Sequence, residues 1–164
     1  MSRVLIIAEH LNGQLNGATA RCVSCATALN ADAIDVLVLS DAGQAVAAQA
    51  AQISGVSKVL VSDNAANAHA IAQVLAPQIA QAAVCYSHVF GPSTTFGKDL
   101  MPCVAALLGI GQISDVMSVE SSHSFKRPIY AGNAIITVNA PADKPVVATV
   151  LGVVVLGESL TALG

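Results

Sequence analysis

Val4-Leu5-Ile6-Ile7-Ala8, five consecutive apolar residues near the start of the chain, form the stretch that decides the fold class. A strand that is apolar at every position is typical of a parallel sheet with both faces buried. Three further strand-like runs, mostly apolar, follow at residues 34–39, 58–61 and 83–90. We therefore expect four buried parallel strands, the first at residues 3–8.

Helical patterns separate these predicted strands. Residues 18–29, 42–53 and 67–80 fit helices, and Pro77 predicts a break or kink near the end of the third. Strands that alternate with helices favour right-handed βαβ units in a doubly wound sheet that helices cover on both faces. We predict one domain over residues 1–164, with a three-layer, mainly parallel, Rossmann-like α/β fold of the nucleotide-binding type.

The last third of the chain has a different pattern, with short strands joined by turns. Residues 112–120 alternate apolar and polar side chains, as a half-buried strand does. Residues 125–130 and 134–139 flank Gly132-Asn133, a dipeptide suited to the positive φ angles of a tight hairpin. Residues 146–150 fit another strand. We expect an antiparallel or mixed addition to the parallel core.

Composition and charge argue against two classes of partner. The chain has seven Lys and Arg residues, a net charge of -3 and 3% aromatic residues, so nucleic-acid binding is not expected. The longest apolar run, residues 146–157, contains two candidate strands and is shorter than the roughly 20 residues of a membrane-spanning helix. No signal-peptide pattern precedes the first strand, and we expect a cytoplasmic protein without a membrane segment.

The four cysteines do not form a disulfide framework. Cys22 and Cys25 have the spacing of a redox pair, but they fall inside the predicted first helix, where packing on one helical face is the alternative. Cys85, Cys103 and His88 occur singly, so no metal site is predicted. His88 lies on a predicted buried strand and is expected to be a hydrogen-bonded core residue.

A ligand crevice is expected where the strand order of a doubly wound sheet reverses, between the loops after the first and fourth strands. The first of these loops holds His10. The second, residues 91–98, is rich in Gly, Ser and Thr and precedes a helix, so its backbone N–H groups and hydroxyls could hold an anion. The crevice candidates are His10, Ser93, Thr94, Thr95, Gly97 and Lys98.

The loop at residues 91–98 is a near miss for a phosphate-binding P-loop. Five residues separate Gly91 from Gly97 where the P-loop has four, and Asp99 follows Lys98 where the P-loop has Ser or Thr. Capping of the next helix by Ser or Thr is the alternative to ligand binding. We expect that helix to begin near Asp99, which would place Pro102 in its first turn.

Three stretches carry a resemblance to a known family: Phe96-Gly97-Lys98-Asp99-Leu100-Met101-Pro102, Gln112-Ile113-Ser114-Asp115 and Phe125-Lys126-Arg127-Pro128-Ile129-Tyr130-Ala131-Gly132-Asn133-Ala134. In order and spacing they resemble the alpha subunit of electron transfer flavoproteins. The opening Val4-Leu5-Ile6-Ile7-Ala8-Glu9-His10 is similar to the first strand of that subunit and its Ala-Glu-His end. The resemblance spans nearly the whole chain.

This resemblance implies the first of the alpha subunit's two domains. FAD would lie mainly on the second domain, so this chain would hold no cofactor and no catalytic residue of its own. The expected partner is the beta subunit, which has a similar fold and often a structural AMP. The full heterodimer would carry electrons from acyl-CoA or other dehydrogenases to a quinone oxidoreductase.

The chain departs from the family pattern at two positions and in its tail. Cys103 and Leu151 stand where the family usually has Arg, which would remove ion pairs at a domain or subunit boundary, and residues 152–164 also differ. A stand-alone module that binds AMP or ATP remains an alternative function. A hydrolase has little support, because no Ser, His and acid set occurs at motif spacing.

Overall fold

The computed structural model describes residues 1–152 and contains four α-helices and eleven strands within them. The helices are α1 (Ala18–Ala28), α2 (Gln44–Ala50), α3 (Ala72–Ala82) and α4 (Thr95–Leu107). The first six strands are β1 (Arg3–Ile7), β2 (His10–Leu11), β3 (Gln14–Leu15), β4 (Ala33–Ser40), β5 (Lys58–Asp63) and β6 (His88–Pro92). The others are β7 (Gln112–Val116), β8 (Ser118–Ser121), β9 (Ser124–Ile129), β10 (Ala134–Asn139) and β11 (Val146–Val150).

Six strands form a parallel sheet in the order β5-β4-β1-β6-β11-β7. The predicted fold class is confirmed, because helices cover both faces of this sheet. Strand β1 shows why its sequence is apolar throughout: Val4 and Ile6 face one core, and Leu5 and Ile7 face the other. All four side chains have no exposed surface.

The two faces of the sheet carry different layers. Residues of α1 and α2 pack with Val4 and Ile6, whereas residues of α3 and α4 pack with Leu5 and Ile7. A separate antiparallel sheet, in the order β10-β9-β8, joins the first of these cores through the fully buried Phe125. The predicted antiparallel addition is therefore a small second sheet packed over the face that α1 covers only in part.

The hairpin of β9 and β10 is present, but its turn is wider than Gly132-Asn133 predicts. Ala134 pairs with Ile129, which leaves four residues in the turn. Positive φ angles occur at Tyr130, Ala131 and Gly132 and not at Asn133. Only Gly132 has the conformational freedom that this region favours, so the dipeptide indicated the place of the turn and not its type.

Two strand predictions were wrong in their bounds. Residues 83–85 form a 3₁₀ turn that continues from α3, and the strand begins only at His88. Residues 112–120 do not form one strand, because the chain passes from the parallel sheet to the antiparallel sheet near Asp115, whose φ is 57°. Apolar periodicity does not reveal which sheet a strand joins, so it could not locate either boundary.

Neither proline ends its helix. The third helix shows no break at Pro77 and runs on to Ala82. The predicted start of the fourth helix near Asp99 was wrong, because this helix begins at Thr95 and Pro102 lies inside it. An interior proline removes one helical hydrogen bond and costs about 3 kcal/mol or more. The burial of neighbouring side chains such as Met101 and Val104, which have no exposed surface, offsets that cost.

Strand β11 confirms the strand predicted at residues 146–150 and lies in the parallel sheet between β6 and β7. The second candidate strand of the apolar run and the departures after Gly152 lie outside the described residues. Among residues 1–152, no helix is long and apolar enough to cross a membrane.

A buried carboxylate ties β1, β4 and β5 together at the amino edge of the parallel sheet. Asp35 is 1% exposed and lies 3.1 Å from Arg3 and 3.6 Å from Lys58. The Tyr86 hydroxyl donates to the same carboxylate at 2.6 Å. Burial, followed by this hydrogen bond, raises the pKa of Tyr86 to about 12. These contacts satisfy the one charged residue in strand β4.

Candidate functional site

The strand order reverses between β1 and β6, as predicted, and the loops after these two strands meet at the carboxyl edge of the sheet. The Thr94 hydroxyl donates to the Glu9 carboxylate at 2.7 Å. Both side chains are half-buried. This hydrogen bond spans the predicted crevice from one loop to the other, so Thr94 already has an anionic partner within the chain.

Asp115 provides a second carboxylate at the same edge. The Ser93 hydroxyl donates to Asp115, and the Lys98 ammonium lies 3.5 Å from it. The Asp115 backbone N–H donates to the Thr149 hydroxyl at 2.9 Å, which ties β7 to β11. The Ser93 hydroxyl and the Lys98 ammonium therefore also interact with a carboxylate of this chain.

The helix-capping interpretation agrees with the structure. Thr94 is the N-cap of α4, and its hydroxyl accepts a hydrogen bond from the Gly97 N–H at 3.3 Å. Thr95 is the first residue of the helix and is exposed. A Cβ atom on Gly97 would lie 1.7 Å from the Pro92 carbonyl oxygen. Gly97 is therefore required for backbone packing, with no ligand needed to explain it.

His10 lies apart from the other candidates. Its Nε2 donates to the Leu39 carbonyl at 2.8 Å, at the end of β4. It therefore lies on the side of β1 away from β6. The structure brings together Ser93, Thr94 and Lys98, and it does not bring His10 to them.

Sequence reasoning missed the three residues that hold this cluster together: Glu9, Asp115 and Thr149. Glu9 carried a usable signal, because it directly follows a buried strand at the edge where ligands of such sheets bind. Asp115 and Thr149 lie inside strands that pattern analysis treats only as half-buried or buried. Asp115 and Thr149 come into contact because β11 lies beside β7, and the sequence pattern does not reveal that these two strands are neighbours.

The electrostatics of this edge oppose an anionic ligand. Two carboxylates, Glu9 and Asp115, lie beside the start of α4, and Lys98 already pairs with one of them. A phosphate would have to displace these carboxylates from the hydroxyls and the cation that it needs. In this arrangement the Ser93 and Thr94 hydroxyls are already engaged and are not free to donate to the pyrophosphate of FAD or the phosphate of AMP.

His88 is a core residue, as predicted. It is 1% exposed, its Nε2 donates to the Ser122 carbonyl at 2.7 Å, and its Nδ1 lies 2.8 Å from the Ser87 hydroxyl. The Ser122 bond links β6 to the turn between β8 and β9. Burial lowers the pKa of His88 below its ordinary value of 6.5, although the Ser122 bond opposes this shift and the neighbouring His123 adds to it.

We expect the free energy of unfolding to fall as the pH falls below 6.5. Below pH 6.5 the His88 imidazole is protonated in the unfolded chain, whereas burial disfavours its protonation in the folded chain. Protonation therefore favours unfolding until the pH reaches the lowered pKa of the folded state. Urea titrations at a series of pH values measure this slope. His88→Gln should flatten it, and His69→Gln serves as the control substitution at an exposed histidine. Equal slopes in all three proteins would contradict the assignment.

The thiols agree with the packing alternative. Cys22 and Cys25 have no exposed surface. Burial raises the pKa of both groups, that of Cys25 to about 12, so neither forms the thiolate that redox exchange requires. Within residues 1–152, no three His, Cys, Asp or Glu side chains are grouped closely enough to hold a metal ion.

The two departures from the family pattern lie on the surface. Cys103 is exposed on α4, where its thiol donates to the Asp99 carbonyl at 3.5 Å, within the same helix. Leu151 follows β11 and is 44% exposed. A longer side chain at either position would extend into solvent without disturbing this core.

Comparisons with known proteins agree on one family. A model of the electron transfer flavoprotein domain matches residues 4–155. The chain is 51% identical over 144 residues to an electron transfer flavoprotein subunit alpha of Pseudomonas aeruginosa, covering 88% of this chain and 46% of that protein. It is 43% identical over 144 residues to the subunit alpha of Paracoccus denitrificans, covering 87% and 46%. A mitochondrial subunit alpha of Dictyostelium discoideum is 39% identical over 156 residues, covering 91% and 44%. The chain thus spans just under half the length of these curated relatives.

Proposed function

The chain belongs to the electron transfer flavoprotein domain family, and from this premise we propose that it is the N-terminal structural domain of an alpha subunit. The observation that carries the proposal is the 51% identity to a subunit alpha over 144 residues, which cover 46% of that relative. Similarity of this extent over less than half of a subunit is what a single domain of it would give. The proposal includes no catalytic residue in this domain.

The flavin is proposed to lie outside this chain. FAD needs donors for its pyrophosphate, and the hydroxyls of Ser93 and Thr94 are engaged by Asp115 and Glu9. Their engagement supports a scaffold role for this domain. The remainder of the subunit would supply the flavin site, and this domain would hold it in place.

The proposed partners follow from the same assignment. The domain would pack against the beta subunit of a heterodimer, in the cytoplasm, and the complete complex would accept electrons from acyl-CoA or other dehydrogenases and pass them to a quinone oxidoreductase. Support comes from exposed apolar side chains such as Val84 and Leu107, which are 80% and 57% exposed and available for a protein interface.

Flavin content and subunit binding test this proposal together. We expect the purified 164-residue chain to be colourless after incubation with FAD, and to form a complex with the Pseudomonas aeruginosa beta subunit. The control is the full-length Pseudomonas aeruginosa alpha subunit, which should bind both. A yellow chain with stoichiometric flavin, or failure to bind the beta subunit, would count against the scaffold role.

A stand-alone module that binds AMP or ATP is the second candidate. One observation favours it: Ser93, Thr94 and Thr95 lie at the point where the strand order reverses, at the start of α4. Calorimetric titration with AMP and ATP separates the two functions. We expect no heat of binding from the scaffold domain. Micromolar binding that disappears in Ser93→Ala and Thr94→Ala would favour the nucleotide module.

A further inference from the structure

Ser87 and His88 form a hydrogen-bonded junction between the parallel sheet and the antiparallel sheet. Nε2 of His88 lies 2.7 Å from the Ser122 carbonyl oxygen, in the turn between β8 and β9. A carbonyl oxygen only accepts hydrogen bonds, so this contact requires a proton on Nε2. The neutral imidazole is therefore the Nε2–H tautomer, and its Nδ1 is left as an acceptor.

The Ser87 hydroxyl is the group that meets Nδ1. Its oxygen lies 2.8 Å from Nδ1 of His88 and 3.0 Å from the Arg3 carbonyl oxygen. A hydroxyl has one proton, so it donates to only one of these acceptors at a time. The Arg3 carbonyl already accepts the Ser87 backbone N–H at 3.0 Å, whereas Nδ1 has no second partner among residues 1–152. The hydroxyl therefore donates to Nδ1 when His88 is neutral.

The same hydroxyl also suits the protonated imidazole. With a proton on Nδ1, His88 becomes the donor and the Ser87 oxygen the acceptor, while the hydroxyl proton turns to the Arg3 carbonyl. The Ser87 oxygen has two lone pairs, and the Arg3 backbone N–H, at 3.0 Å, takes the other. The imidazole and the hydroxyl thus have hydrogen-bond partners in either charge state, without any movement of the backbone.

We propose that the Ser87 hydroxyl is a switch that allows His88 to gain a proton while its bond to the Ser122 carbonyl remains in place. The junction between the two sheets then stays closed in both charge states. Ser87 is half-buried, so solvent delivers the proton, and only the direction of the hydroxyl changes. The switch needs neither flavin nor a partner subunit, so it stands or falls separately from the proposed function.

The other groups around His88 do not stabilise this proton. His123 faces His88 from the antiparallel sheet, with ring centroids 5.9 Å apart, and its positive charge lowers the pKa of His88. On β1, the Arg3 guanidinium lies 3.1 Å from Asp35 and is paired there. The strands on either side of β6 place apolar residues beside His88: Val4 and Val146. Stabilisation of a proton on Nδ1 therefore depends on the Ser87 hydroxyl.

NMR titration of the His88 imidazole in the 164-residue chain tests the switch. We expect the wild-type ring to change from the Nε2–H tautomer to the imidazolium while the protein is folded and the amides of β8 and β9 stay protected from exchange. Ser87→Ala removes the acceptor of the Nδ1 proton. Because hydrogen bonds to charged groups are stronger than those to neutral groups, the folded variant should bind this proton about tenfold more weakly. Ser87→Thr keeps a hydroxyl and should restore the wild-type affinity.

Ser122→Ala controls for the loss of a serine hydroxyl beside a histidine. The Ser122 hydroxyl lies 2.9 Å from Nδ1 of His123, and His88 uses only the Ser122 carbonyl. Proton binding at His88 should therefore stay close to that of the wild type. An unchanged affinity in Ser87→Ala would overturn the proposal, as would a wild-type His88 that remains neutral until the protein unfolds. Loss of amide protection in β8 and β9 on protonation of His88 would also overturn it, because the junction would then open.

Discussion

Replacing Gly97 with alanine is expected to lower the free energy of unfolding by about 3 kcal/mol or more. The added Cβ atom would lie 1.7 Å from the Pro92 carbonyl oxygen, a backbone atom that cannot move aside without displacing β6 or the start of α4. The Thr94 cap and the Ser93–Asp115 contact lie beside this point. Urea denaturation followed by circular dichroism measures the loss.

Gly111→Ala is the matched control for this substitution. No atom lies within 4 Å of the position that a Cβ atom on Gly111 would take, so we expect a change of less than about 0.5 kcal/mol. Equal effects at the two glycines would show that the close packing of α4 on Pro92 is wrong. Because both measurements are made without a ligand, a selective loss at Gly97 identifies a packing role.

Replacing Phe125 with alanine is expected to destabilise the protein by about 3–5 kcal/mol. Phe125 has no exposed surface, and its ring makes edge contacts with Phe90 at 6.4 Å and His88 at 6.5 Å between centroids. Removing the ring leaves a cavity between the antiparallel sheet and the parallel sheet. Chemical denaturation measures the total loss.

Hydrogen exchange locates the effect of Phe125→Ala within the molecule. We expect protection to fall most in β8, β9 and β10, because Phe125 is the fully buried side chain that this sheet contributes to the main core. Phe125→Leu keeps part of the apolar volume and should cost less. A loss below about 1 kcal/mol for the alanine variant would mean that this sheet is held elsewhere.

The parallel part of the fold could be predicted because its signal is local. Strand β1 is apolar at each of its central positions since both of its faces are buried, and the helices around it show one apolar face each. The errors occurred where tertiary packing overrides local preference. Pro102 lies within α4 although proline disfavours helix interiors, and the chain changes sheets beside Asp115 without a glycine to signal it.

The sequence predicts where the candidate site lies, but it does not show whether the hydroxyls there are free to bind a ligand. The reversal of strand order placed Ser93 and Thr94 correctly at the carboxyl edge. Their partners, Glu9 and Asp115, are 85 and 22 residues away along the chain. Contacts over such separations depend on the strand order, which the local pattern does not contain. Ser and Thr before a helix therefore indicate hydrogen-bond donors for a ligand even where these hydroxyls already donate to other residues of the chain.

The position of β11 between β6 and β7 has a consequence for synthesis on the ribosome. Both flanking strands emerge before residues 146–150 do, so the nascent sheet must keep a gap of one strand open while some thirty further residues leave the exit tunnel. Strand β7 has no neighbour in its own sheet during that interval. Completion of the sheet is thus a late, long-range event for each new polypeptide.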